Sequence, residues 1–177
     1  APHWQSDVVI WPETAIPAFA DEVPEMITSL AHTARAARTT LLVGMPTGEP
    51  WSGGRYYNSV VALGSEPGRY DKRHLVPFGE FFPFKAALEN LSRLLSIPMS
   101  DFSEGDIHQA TLHAAGHAVG VSICYEDVYA REVRRALPQA GFLVNVSNDA
   151  WFGDTIAPHQ HLQIARMRAL EAGRYLL

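Results

Sequence analysis

Apolar residues along this chain fall into two patterns, short unbroken runs and longer stretches with a period near 3.6, and the two alternate. Val8 to Trp11 is an unbroken run stopped by Pro12. Leu41 to Met45, Val119 to Ile123 and Gly141 to Val146 are of the same kind, and all are short enough to predict buried strands. Asp21 to Arg38 differs, with apolar residues at Met26, Ile27, Leu30, Ala31, Ala34 and Ala37. That spacing predicts an amphipathic helix with Asp21 as its N-cap. The polar run from Glu126 through Arg135 predicts a helix directly after the Val119 strand, and His159 to Glu171 predicts another, closed by Gly173.

Two hairpins are inserted. Tyr56 to Leu63, a Gly64 to Gly68 turn and Arg69 to Lys72 predict one, while Thr111 to His113 and Val119 to Ile123 predict a second around Ala114 to Ala118. Between them run a Pro- and Phe-rich loop from His74 to Phe84, a predicted helix from Lys85 to Leu95, and a loop holding Pro98, Ser103 and Gly105. Strand and helix alternating in this way predict an α/β fold with a mixed sheet. Arg174 to Leu177 reads as a strand beginning, and the chain reads as a piece cut from a longer protein.

The length of 177 residues suits one domain with a sizeable core. A net charge of -5 and the lack of any basic run exclude a nucleic-acid binder. The longest apolar segments are strand-length, so any membrane anchor lies outside these residues. The single cysteine precludes a disulfide within the chain. Among eight histidines, His159 and His161 stand two apart and His113 and His117 four apart, without a cysteine or carboxylate at zinc spacing, so no metal is expected.

Three residues of different chemistry fall at predicted strand ends: Glu13, Lys72 and Cys124. Cys124 sits where a strand passes into a helix, a sharp turn whose backbone N–H groups predict a lowered thiol pKa and an oxyanion donor together. A carboxylate near a thiol can act as its general base, and an ammonium can hold the charge developing on an attacked carbonyl oxygen. A free thiol with a pKa of about 8.5 is only a few per cent ionised at neutral pH, so a base in contact is required. The competing readings are a small core cysteine and two solvated charges. The loop from Leu75 to Phe84 carries more apolar side chains than a solvated connection needs, which predicts lipid or ligand contact unless they pack beneath the loop.

Trp11-Pro12-Glu13, the run Tyr70 to Glu80 and Ile123-Cys124-Tyr125-Glu126 resemble, in order and context, the Glu-Lys-Cys motifs of the nitrilase superfamily. His74 to Phe81 and Ser147 to Gly153, with Gln160 to Glu171 behind them, are similar to its lipoprotein-acylating branch. The resemblance implies a nitrilase-like α-β-β-α sandwich with mixed sheets, residues 1–177 forming a catalytic domain truncated at both ends. It implies that Glu13 takes the Cys124 proton, that Cys124 forms a thioester, and that Lys72 with the Tyr125 N–H stabilises the oxyanion. Glu80 would orient Lys72 or Glu13, and Glu126 also matches the pattern. Phe78, Phe81, Phe82, Trp151 and Asn148 are the candidate substrate contacts, and Asn58 is a further polar residue near the pocket. The implied partners are a phospholipid acyl donor and an apolipoprotein acceptor, with no cofactor. Membrane segments outside this chain would hold the domain on the periplasmic side of a bacterial inner membrane. Two alternatives are a soluble nitrilase-type amidase or carbamoylase, and a non-catalytic module that keeps the motifs.

Overall fold

The computed structural model describes residues 3–81 and 101–177, with the Trp151 side chain left out. Two sheets form its frame. In the first, β1 (Val8–Ile10) runs parallel to β2 (Thr40–Gly48), β2 pairs antiparallel with β3 (Tyr56–Leu63), and β3 returns into β4 (Gly68–Asp71). In the second, β5 (Leu112–Ala114) pairs antiparallel with β6 (His117–Ile123), and β7 (Phe142–Val146) runs parallel beside β6. Leu176 bridges in parallel to Leu143, so the end of the chain does begin to pair with this sheet.

The unbroken apolar runs follow from burial on both faces. Along β2, Leu42 joins Val60, Ala62, Leu112, Val119, Ile123, Val144 and Val146 in the layer between the sheets. Its neighbours Leu41, Val43 and Met45 point the other way and pack with Ala34, Ile27, Leu30 and Ala31 of α1 (Pro24–Ala37). Each fully buried aliphatic side chain of this kind contributes about 1.5–3 kcal/mol. On the far side, α2 (Ala130–Ala136) packs on β6, and α3 (Ala157–Ala172) packs on α2 and on the turn after β6. The result is the helix, sheet, sheet, helix order that the resemblance implied.

Two expectations change. Helix α1 starts at Pro24 and its N-cap is Val23, without a side-chain cap, so Asp21 does not cap it. Proline suits a first turn because its φ is already helical and its missing N–H would have had no intrahelical partner. The segment after β6 is not one helix. Cys124–Val128 forms a 3-10 turn, Tyr129 departs from helical geometry, and α2 begins at Ala130. Glu126 and Asp127 are both buried, and turning their carboxylates inward tightens the chain here. The helix expected at Lys85 to Leu95 lies outside the described residues. Helix α3 closes at Gly173, which adopts a left-handed conformation as expected. Among the described residues no helix is long and apolar enough to cross a membrane.

Candidate active site

Glu13 lies just beyond the β1 edge of the first sheet, in a loop pressed onto β2. Trp11 N–H donates to the Leu42 carbonyl and Ile16 N–H to the Gly44 carbonyl. A Cβ on Gly44 would stand 2.3 Å from the Pro12 carbonyl oxygen and 2.7 Å from the Glu13 Cα, so only glycine lets the loop lie this close. Lys72 follows β4 directly. Its N–H donates to the Asn58 carbonyl and its own carbonyl accepts from the Gly105 N–H, fixing the residue on both sides.

Four side chains then close a ring. Lys72 Nζ stands 3.1 Å from Glu13 Oε1 and 2.9 Å from Glu80 Oε1. Asn58 Nδ2 donates to the same two oxygens at 2.7 and 2.8 Å. The Lys72 side chain is only 1% exposed, so its charge is compensated by carboxylates and not by bulk water. Burial alone would push the Lys72 pKa down, but Glu13 and Glu80 reverse this and hold it above the ordinary lysine value. Glu80 is therefore no surface acid. Its second oxygen accepts from the Val76 N–H, which anchors the loop after Lys72. Glu13 Oε2 is the least committed oxygen of the set, with one 3.3 Å contact from the Asn148 N–H.

Cys124 meets this ring from the opposite sheet. It follows β6 at once and adopts φ +54°, a left-handed conformation that a non-glycine residue holds only at a cost of about 1–3 kcal/mol. Residues held in this way cluster where a side chain must be presented at a sharp turn. The thiol is half-buried, feels both Glu13 and Lys72, and is reached by the Tyr125 backbone N–H. Its pKa departs from the expectation of a lowered value. Burial first, and the Glu13 charge second, push it up to about 12, with Lys72 and the Tyr125 N–H pulling the other way. The turn supplies donors, but too little solvent reaches the sulfur for those donors to win.

Glu126 locks the two sheets together behind this site. Its Oε1 accepts from the backbone N–H groups of Arg73 and His74, and its Oε2 accepts from the Ile123 N–H and the Tyr70 hydroxyl. The carboxyl thus joins the chain after Lys72 to the chain before Cys124. Tyr125 adds a second tie through its hydroxyl, which donates to the Leu75 carbonyl, and its ring stands under Lys72 Nζ with 5.8 Å to the centroid. On the other flank, Asn145 Nδ2 donates to the Cys124 carbonyl at 2.8 Å. Asn145 and His161, which also touches that carbonyl, are not site residues in the sequence reading, where Asn145 is a strand position and His161 only half of a histidine pair weighed for metal and set aside. A polar residue inside the apolar run of β7 was the available signal.

The substrate-contact candidates fare unevenly. Phe78 is 63% exposed, at the tip of the loop after Lys72, and Phe81 beside it is half-buried. Phe82 lies outside the described residues, as does the Trp151 side chain. Asn148 places its backbone N–H on Glu13 and turns its side-chain oxygen to the Ala150 N–H. A cavity of about 470 Å³ lies on the far side of Glu126, lined by Tyr70, Arg73, Gln109 and Gly120, and none of Glu13, Lys72 or Cys124 borders it. Among the described residues no cluster of three or more His, Cys, Asp or Glu side chains could hold a metal ion.

Residues 1–177 match the carbon-nitrogen hydrolase family over their whole length. The chain belongs to that family. It is 53% identical over 176 residues to an apolipoprotein N-acyltransferase of Methylococcus capsulatus, covering 99% of this chain and 35% of the relative. It is 48% identical over 174 residues to the enzyme of the same name from Nitrosomonas europaea, again covering 35% of the relative. The chain thus spans about a third of the length of the curated relatives it matches. Among solved structures, a carbon-nitrogen hydrolase from Helicobacter pylori superposes with a TM-score of 0.70 at 17% identity, over 99% of this chain and 61% of that one. A member of branch 10 of the nitrilase superfamily from Saccharomyces cerevisiae superposes at 0.66, also at 17% identity, over 97% and 60%. The nitrilase fold is therefore established, and both curated relatives carry the name of an N-acyltransferase and not of an amidase or carbamoylase.

Proposed function

We propose that this domain is the catalytic part of an N-acyltransferase. It would move an acyl chain from a phospholipid, through a Cys124 thioester, to the N-terminal amine of a diacylglyceryl-cysteine apolipoprotein. The observation that carries the reading is the ring of Glu13, Lys72, Glu80 and Asn58 set against a cysteine in a left-handed turn. The names of the similar proteins support the choice of substrates.

In the first half-reaction Glu13 takes the Cys124 proton as the sulfur attacks the ester carbonyl. Glu13 Oε1 is occupied by Lys72 and Asn58, which leaves Oε2 for the proton. A C–S bond forms, and the carbonyl π electrons move onto oxygen. Two of the three Lys72 ammonium protons are directed at Glu13 and Glu80, so the third, with the Tyr125 N–H, is available to the oxyanion. Collapse breaks the C–O bond, and the departing lysophospholipid takes the proton back from Glu13. In the second half the lipoprotein amine attacks the thioester, Glu13 takes a proton from nitrogen, a C–N bond forms as the C–S bond breaks, and Glu13 returns the proton to the departing sulfur to restore the thiol. The ammonium stays charged throughout because Glu13 and Glu80 hold its pKa up.

In the full protein, membrane-spanning segments outside this chain would place the domain on the periplasmic side of the inner membrane. Phe78 and Phe81 would face the lipid there. Intact-mass analysis of the full-length enzyme after incubation with phospholipid alone tests the scheme. An acyl group on Cys124, discharged by a diacylglyceryl-cysteine peptide, is expected. An unmodified protein, or an adduct that survives Cys124→Ala, overturns it.

A further inference from the structure

Behind the Cys124 turn lies a buried charge cluster that the scheme above does not use. Asp127 is fully buried, and neither of its carboxylate oxygens has a hydrogen-bond donor among the described residues. The cation beside it is His161, whose Nε2 stands 3.4 Å from Asp127 Oδ1. His161 comes from α3, and its other nitrogen, Nδ1, stands 3.1 Å from Asp149 Oδ1 on the turn after β7. Its Nε2 is also 3.2 Å from the Cys124 carbonyl oxygen. Both ring nitrogens therefore face acceptors only, which neutral imidazole, with one N–H, cannot satisfy. A buried carboxylate without donors needs a counter-charge nearby.

We propose that His161 is a positioning residue for the nucleophile. As an imidazolium held between Asp127 and Asp149, it donates from Nε2 to the Cys124 carbonyl and keeps the left-handed turn that presents the thiol to Glu13. Asn145 makes the second bond to the same carbonyl, so the turn is fixed from a strand and from a helix at once. This role deepens the acyl-transfer reading and rests on it for the reaction, but not for the reactivity of the thiol itself. The titratable or charged groups that face His161 are Asp127 and Cys124 from the turn after β6, Asp149 from the turn after β7, and Arg166 in the same cleft on its own helix. Their balance raises the His161 pKa to about 9, with the close pairing to Asp127 the largest cause, burial opposing it, and the Asp149 contact and the charges of both acids adding to it. The imidazolium is thus present below about pH 9 and is lost above it.

The test uses full-length enzyme and phospholipid vesicles, with rates of Cys124 acylation read by quenched intact mass between pH 6 and 10. Alkylation of Cys124 by iodoacetamide is measured in parallel, and a thermal melt is recorded for each variant. His161→Leu is expected to slow acylation by about ten- to a hundredfold at pH 7 with the KM for phospholipid unchanged, because the nucleophile is misplaced and the lipid site is not. His161→Gln keeps an N–H toward the carbonyl and is expected to recover part of that rate while losing the alkaline fall near pH 9. Asp149→Asn removes one of the two anions, so the fall should move to lower pH. Acylation by His161→Leu at the wild-type rate overturns the proposal. So does an alkaline fall at the same pH in Asp149→Asn, or a folded His161→Gln no better than His161→Leu. If His161→Leu does not fold, the Gln and Asn variants decide. If the wild type is never acylated, the acyl-transfer reading fails by itself. The positioning role then stands if iodoacetamide reactivity still depends on His161, and falls if it does not.

Discussion

Replacing Glu13 by Gln should have opposite effects on two reactions of the same sulfur. The Cys124 thiol is pushed up to about 12 from an ordinary 9.0. At pH 7 that leaves on the order of one thiolate in 10⁵, against about one in 10² for the ordinary value. The separated thiolate is thus disfavoured by at most about 4 kcal/mol more than a solvated one. Burial is the largest cause and the Glu13 charge the second. A standing thiolate is therefore not the resting form, and the proton must leave as the sulfur attacks. Glu13 is needed at that moment and is a hindrance before it. In Glu13→Gln, acyl transfer should fall by about 10²–10⁴-fold, the usual contribution of a positioned base. Alkylation by iodoacetamide, which captures the small thiolate population, should instead become faster because the variant lowers the thiol pKa. Each unit regained raises the thiolate population tenfold but weakens the nucleophile, for a net gain of about threefold to fourfold. In the wild type the logarithm of the alkylation rate should climb with a slope of one from about pH 6 to 8.5, below the pH at which His161 loses its charge, without a plateau. A plateau near pH 8 would refute the raised pKa. Alkylation that slows in Glu13→Gln as much as acyl transfer does would refute the division between base and charge.

Lys72→Met should lower acyl transfer by about 10² or more, as loss of an oxyanion donor does, and should push the Cys124 pKa further up by removing the cation that lowers it; the two rates above report both effects. Gly44→Ala should destabilise the fold and displace Glu13, because the added Cβ meets the Pro12 carbonyl at 2.3 Å, and a lowered melting temperature together with slowed acylation checks this. Phe78→Ser should raise the KM for phospholipid vesicles while leaving iodoacetamide reactivity and the melting temperature unchanged, since the ring is 63% exposed; a lowered melting temperature would mean the ring is part of the packing.

The strands were legible in the sequence because burial is written locally, whereas the order of the layers and the joining of Glu13, Lys72 and Cys124 into one site came from the family resemblance and not from spacing. Burial on both faces writes an unbroken apolar run, as in Leu41 to Met45, and a strand end followed by a chemically active residue marks Glu13, Lys72 and Cys124 without knowledge of their neighbours. The sign of the Cys124 shift was not legible. It depends on how much water the opposite sheet excludes and on how near Glu13 comes, and both are settled by packing between segments more than a hundred residues apart. Likewise the broken helix after Cys124 follows from the inward carboxylates of Glu126 and Asp127, whose partners are supplied by Tyr70, Arg73, His74 and His161. A charged residue near a helix start reads as solvated when only its own segment is known. Tertiary structure alone decides whether it meets water or the backbone of another strand, because the energy of a buried charge is set by what surrounds it and not by its place in the chain.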